Sequence, residues 1–150
     1  MSGAKRMVRI PAGPESASWT GPVLIRGWLR LRQPWRHPLA ALTLARKWRS
    51  VRRDLARAPG FASFEYWQRL ETLVLGMHVG WATYEDSARF ADVSSHVGMA
   101  RWATASRLVR AMKLETVALS ADGRLIRLGG FHISQQESDI PCDSLFPLLQ

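Results

Sequence analysis

The side chains in this chain that could do chemistry near neutral pH are four histidines, His37, His78, His96 and His132, set among seven Trp and two Tyr. Two of them sit where a pocket could be built. His78 lies in the apolar run 73–81 with Val74, Gly76, Gly80 and Ala82 on its own face, so there is room above it, and His96 follows Phe90 in a helix-like run. A neutral imidazole titrates near working pH and can take a proton from a phenolic or enolic substrate. The electron-rich carbanion left behind can react with O2 without a metal. Alternatively, one imidazole could ligate haem iron from one side. His96, His78 and Trp81 are therefore the candidate catalytic residues, with Tyr66, Trp28 and Phe90 as candidate substrate lining. For each histidine taken alone, a satisfied or surface position is the commoner explanation. Asp92 stands four residues before His96, a spacing that on an unbroken helix lets the carboxylate hold the ring and fix its tautomer.

Other chemistries are weakly supported. There is no Gly-rich phosphate loop, no Gly-x-Ser-x-Gly and no His-Glu-x-x-His. The single cysteine, Cys142, excludes an intramolecular disulfide and a Cys-rich zinc site and fits a reducing compartment. Pro11, Gly13 and Pro14 stand where an apolar signal core would be, and nowhere do ~18 uncharged apolar residues run together, so a cytoplasmic protein is expected.

The elements that must position these residues can be read from periodicity. With 150 residues, one domain is expected: an N-terminal arm over 1–20 without a fold role, a folded region over 21–134 and a tail over 135–150. Residues 23–32 alternate, with Val23, Ile25, Gly27, Leu29 and Leu31 on one face and Leu24, Arg26, Trp28, Arg30 and Arg32 on the other, as in a half-buried strand. Pro38 opens a helix reaching Ala58, with Leu44, Trp48, Val51 and Leu55 as its apolar stripe and Pro59-Gly60 as its stop. Strands follow over 61–67 and 73–81. Thr83 caps a helix with Glu85 and Asp86 in its first turn, and Ser94-Ser95 interrupts that helix and caps a second segment over 96–112. Strands over 114–119 and 124–133 flank the turn signal Asp122-Gly123.

Strand, helix, strand, strand, helix, strand with an extra strand is the order of a ferredoxin-like βαββαβ domain, an α+β fold with its helices on one face of an antiparallel sheet. Within that frame the stretch 61–102, entered through Gly60-Phe61, resembles the antibiotic-biosynthesis-monooxygenase-like branch of the dimeric α+β barrel superfamily. The resemblance rests on Gly60-Phe61, the strand-ending Trp81, the acidic helix start Glu85-Asp86, the aromatic Phe90 and Ser94-Ser95-His96. It is also similar to a related group that includes carotenoid-pathway monooxygenases. The resemblance implies a homodimer, a cavity between sheet and helices in each subunit, and an apolar aromatic or isoprenoid ligand. The family's members include monooxygenases that work without a cofactor, haem-degrading enzymes and proteins with no demonstrated activity, so either no cofactor or haem is implied. Haem-degrading members use an Asn on the first strand and a Trp in the helix. Here that strand has no Asn, and Phe90 stands where the Trp would be.

The rival class is a binding module. Residues 1–60 hold 13 of the 21 Lys and Arg but only two of the 12 acidic residues, which leaves the rest of the chain near neutral. Arg46, Lys47, Arg49, Arg52, Arg53 and Arg57 give the first helix a cationic surface that could meet nucleic acid or an anionic membrane. A solvated helix exterior accounts for it more simply.

Overall fold

The structure is a computed structural model that describes residues 4–33 and 36–135. The described residues form six strands and three helices: β1 (Arg6–Ile10), β2 (Val23–Leu31), α1 (Pro38–Ala56), β3 (Phe61–Arg69), β4 (Val74–Trp81), α2 (Tyr84–Ala91), α3 (Ser94–Ala105), β5 (Val109–Leu119) and β6 (Leu125–Ser134), with a 3-10 turn at Ser16–Ser18. The strands form one antiparallel sheet in the order β1-β6-β5-β2-β4-β3. The four strands β5-β2-β4-β3 follow the ferredoxin-like order, β6 is the expected extra strand, and β1 adds a further strand beyond it.

Register decides what meets the helices. β2 lies between β4 and β5, with Ile25 opposite Val79 and Thr116, and Gly27 opposite Met77 and Leu114. Val23, Val79 and Trp81 pack with Val51 and Leu55 of α1 and Phe90 of α2 in the main core, so odd-numbered residues of β2 and β4 point to the helices. Arg26, Trp28, Val74, Gly76 and His78 have the opposite parity and point to the other face.

The local signals account for the joints. The Thr83 hydroxyl accepts from the backbone N–H of Asp86 at 3.1 Å, as its position ahead of two acidic residues leads one to expect. Gly60, at φ +77°, lies so close beneath Asp86 that a Cβ there would meet its carboxylate. Asp122-Gly123 turns the β5–β6 hairpin, with Gly123 at φ +82°. Among the described residues, no helix is long and apolar enough to cross a membrane.

Three expectations are corrected. The arm 1–20 has a fold role: β1 pairs with β6 from Arg6 opposite Ser134 to Ile10 opposite Gly130. Met7 and Val8 stay exposed, so this edge strand carries no alternation to betray it. Backbone pairing and Lys5 hold it instead. The Lys5 ammonium donates to the carbonyls of Ala103, Ser106 and Val109 at 2.8, 2.7 and 2.8 Å, tying the arm to the end of α3 and the start of β5. Second, the helix expected over 96–112 ends at Ala105, because Leu108, Val109 and Ala111 are buried as the start of β5. Third, Ser94 and Ser95 begin α3 without capping it. Its N-cap is Val93, which has no side-chain bond to offer. The C-terminal tail lies outside the described residues apart from Gln135, and so does Cys142.

Burial, assisted by the charge of Arg32, lowers the Lys5 pKa from 10.5 to about 8. Between those values the unfolded chain holds a proton that the folded chain has released, so this group's contribution to stability rises with pH across that window. Urea unfolding of wild type and Lys5→Gln at pH 7.5, 9 and 10 should show the wild type gaining on the variant as pH rises. A constant difference would mean that the ammonium is not desolvated.

Candidate active site

A cavity of ≈330 Å³ lies between the helix-facing side of the sheet and the pair α1 and α3. Its floor is the centre of the sheet. Gly27 and Leu29 of β2, Leu75 and Met77 of β4, and Met112 and Leu114 of β5 come up from below. Leu44, Trp48 and Val51 close it from α1, the helix whose i, i+4, i+7 stripe turns them all to one side. His96, Met99, Ala100 and Ala103 close it from α3. Tyr66, on the edge strand β3, lines it as well and is 49% exposed, so the cavity reaches the surface there.

The lining is almost wholly apolar, with three thioethers, Met77, Met99 and Met112, that can adapt to a ligand's outline. Its polar groups are few. The His96 ring is half-buried, packs on Phe90 at a centroid distance of 5.5 Å, and has Nδ1 3.1 Å from the carbonyl of Ala91. A carbonyl only accepts, so Nδ1 is the donor, and in the neutral ring the lone pair falls on Nε2. Asp92 is not the partner of this ring. α2 ends at Ala91 with Asp92 as its C-cap, and Val93 is extended, so the i, i+4 relation that would bring Asp92 beneath His96 is lost. The Tyr66 hydroxyl lies 3.3 Å from Gln68 Oε1, and burial raises its pKa.

The six candidate residues divide between two sides of the sheet and its core. His96 and Tyr66 line the cavity, whereas Trp28 borders it only through its place on the central strand, its indole being packed on the opposite face with Val74 and Ala111. His78 does not share that cavity. It is 6% exposed on the opposite face, with Nδ1 3.6 Å from Glu65 Oε2 on the neighbouring strand. Trp81, 1% exposed, is a core residue held between Phe61 and Phe90. Phe90 supports the cavity from behind, by carrying the His96 ring. Trp48 was read from the sequence as part of the core stripe. It lies in that stripe, and its exposed end forms a cavity wall, a role that the stripe alone cannot reveal.

On the far face, Glu115 of β5 is 2% exposed. Arg26, directly across on β2, donates to it at 2.7 Å, with Arg127 at 3.1 Å and Lys113 at 3.5 Å. This cluster neutralises part of the basic face of β2. Lys113 also borders the cavity, with its ammonium beside Glu115 on the far face. Haem would need both an axial ligand and cations for its propionates. His96 could supply the first, while Arg49 and Arg52 of α1 lie outside the lining, so the cavity by itself does not supply the second.

Comparison with solved structures gives the fold a context. The chain matches the "putative antibiotic biosynthesis monooxygenase" of Caulobacter crescentus with a TM-score of 0.55 at 14% identity, over 71% of this chain and 97% of that one. The chain has the fold of the antibiotic-biosynthesis-monooxygenase-like proteins. A "putative antibiotic biosynthesis monooxygenase" of Nitrosomonas europaea matches with a TM-score of 0.51 at 11% identity, over 65% of this chain and 89% of that one. A Mycobacterium tuberculosis protein matches with 0.54 at 13%, over 69% and 99%. At such identities the antibiotic-biosynthesis-monooxygenase-like fold is what is shared. No protein-family model and no curated protein matches the sequence.

The division of residues has a measurable consequence. Trp81→Ala removes a fully buried aromatic from the main core and should cost about 3–5 kcal/mol, whereas Tyr66→Phe, at a half-exposed rim, should stay within about 0.5 kcal/mol. Urea unfolding of the two variants compares them directly. Equal costs would contradict the separation of core from cavity wall.

Proposed function

We propose that the chain is a monooxygenase-like enzyme that oxidises an apolar aromatic or isoprenoid small molecule in the cavity, with His96 as the base. One observation carries the reading. In a nearly apolar cavity the half-buried imidazole of His96 has its Nδ1–H committed to the Ala91 carbonyl, which leaves Nε2 as the lone-pair nitrogen.

The chemistry suits such a site. Nε2 takes a proton from an activated CH or OH of the substrate, and the resulting carbanion is stabilised by its own conjugated rings. That carbanion adds O2 to form a hydroperoxide, which loses water to leave a carbonyl. Overall a CH2 group and O2 become C=O and water, with no outside reductant. Apolar walls serve the reaction by excluding bulk water, which strengthens the hydrogen bond between imidazole and substrate. Trp48 and the methionines hold a flat ring system by contact rather than by direction. The fold's monooxygenase-named neighbours support the reaction class, and the lining supports the substrate class.

The protein is further proposed to act as a homodimer through the face of the sheet that the helices leave uncovered. Trp28, Val74 and Ala111 are already buried there, and the half-buried Trp67 ring, which lies over Gly76, is the apolar group left for a partner to meet.

Anthrone, a neutral three-ring molecule with an acidic CH2, tests the chemistry through O2 uptake and quinone absorbance. His96→Ala should lower the rate by roughly 10²–10⁴-fold, the range of general-base catalysis. His78→Ala should leave the rate within about twofold, because its side chain points to the other face of the sheet, toward Glu65. Turnover that survives His96→Ala unchanged would remove His96 from the mechanism. A wild type that does not accelerate anthrone oxidation at all would sink the reaction class for this substrate type.

A further inference from the structure

Beside the cavity lies a second depression that an apolar ligand would leave unused. Ala45, Trp48, Arg49, Arg52 and Arg53 line an open groove of ≈410 Å³ along α1, and Ala45 and Trp48 also line the cavity. The Trp48 indole is thus a wall common to both. Helical spacing places Arg52 one turn beyond Trp48 and Arg49 one turn beyond Ala45, so the two guanidinium groups flank the shared wall.

The groove meets the cavity on the side where the cavity opens. The Arg52 guanidinium carbon lies 5.5 Å from the centroid of the Phe64 ring, and that ring packs against Trp48 at 5.7 Å. Phe64 and Tyr66 are alternate residues of β3, hence on one face and roughly 7 Å apart along the strand. Tyr66 is the half-exposed residue of the cavity lining. Arg52 therefore rests on the strand that carries the rim, two residues from Tyr66.

Charge in the groove is unbalanced. Arg53 has Asp54 beside it at 3.3 Å, but neither Arg49 nor Arg52 makes an ion pair with a carboxylate among the described residues. Two guanidinium groups three residues apart repel each other, and an oxyanion between them relieves that repulsion while accepting their forked N–H groups.

We propose that this groove binds the anionic end of the ligand whose apolar body fills the cavity. The substrate class is then an aromatic or isoprenoid molecule carrying one carboxylate, sulfonate or phosphate group, held by Arg49 and Arg52, with Trp48 stacked between its two parts. The proposal rests on the cavity being the ligand site, and it turns the basic helix from a solvated exterior into a selectivity element.

Two fluorescent probes isolate the charge. Both 8-anilinonaphthalene-1-sulfonate and N-phenyl-1-naphthylamine have the same arylamine body, and only the first carries an anion. In 50 mM salt the wild type should bind the sulfonate at least tenfold more tightly, and the advantage should shrink as salt is raised. The double variant Arg49→Gln, Arg52→Gln should lose that advantage and keep its affinity for the neutral probe within twofold. Competition by 2-naphthoate and by 1-naphthyl phosphate then tells which anion is preferred. Equal binding of both probes by wild type, or an advantage that survives in the double variant, overturns the anion site while leaving the cavity as a ligand site. If neither probe binds, the cavity reading fails and the anion site falls with it. Without a sulfonate advantage, wild-type binding to phosphatidylglycerol vesicles or duplex DNA that the double variant loses would assign the arginines to a macromolecular surface instead.

Discussion

The register of β2 is the constraint on which the rest of this structure depends. The strand lies between β4 and β5, and its side-chain period is two, so a slip by one residue would send Arg26 and Arg30 toward the helices and Ile25 and Leu29 away from them. Arg26 opposite Glu115 penalises that slip directly. In register, Glu115 Oε2 has the Arg26 guanidinium at 2.7 Å, and out of register it loses that partner while Arg127 and Lys113 reach only Oε1. A buried ion pair adds little net stability over an apolar pair, but losing one partner of it is costly, and that asymmetry favours one register over its neighbours.

The same register makes the cavity. Gly27 sits at the centre of the helix-facing side, where a Cβ would come within 2.9 Å of a Leu114 methyl carbon and 3.6 Å of the Met77 methyl carbon. Those two side chains therefore lean over a position with no side chain of its own, and the space above it is closed by Trp48 from one helix and Met99 from the other. Large residues flank a small one on the central strand, and α1 and α3 are held to each other across the gap. The site is thus a product of sheet register and helix pairing together, with His96 entering it only because the chain breaks between α2 and α3 and restarts at Ser94.

Much of this was legible in the sequence, and what was not has physical causes. The strands β2 to β6, the helix after Pro38, the Thr83 cap and the Asp122-Gly123 turn all rest on local signals, and the structure has them. β1 was missed because an edge strand held by backbone bonds and by Lys5 needs no apolar alternation. The start of β5 was missed because Leu108, Val109 and Met112 suit a helix as well as a strand, and only burial against the sheet separates the two. Parity showed which residues of β4 share a face with His78, but not which face the helices cover. That depends on the pairing of Val23 with Trp81, a contact 58 positions apart in the chain. Hence His96 and Tyr66 fell in the cavity, while His78 and Trp81 did not.

Charge follows the same geometry. The basic residues of the first 60 positions are not spread evenly over the fold: Arg26 is spent on Glu115 on the far face, Lys5 on the end of α3, and the arginines of α1 remain on the outside of the helix that closes the cavity. With few acids nearby, a cationic flank beside an apolar cavity raises the local concentration of anions at its entrance. The field reaches about a Debye length, roughly 8 Å at physiological salt, and the Arg52 guanidinium carbon stands 5.5 Å from the Phe64 ring, two residues from Tyr66 on the same strand. A neutral ligand would gain nothing from such an arrangement, whereas an amphiphilic anion would be both attracted and oriented, with its charge on the arginines and its rings inward toward His96.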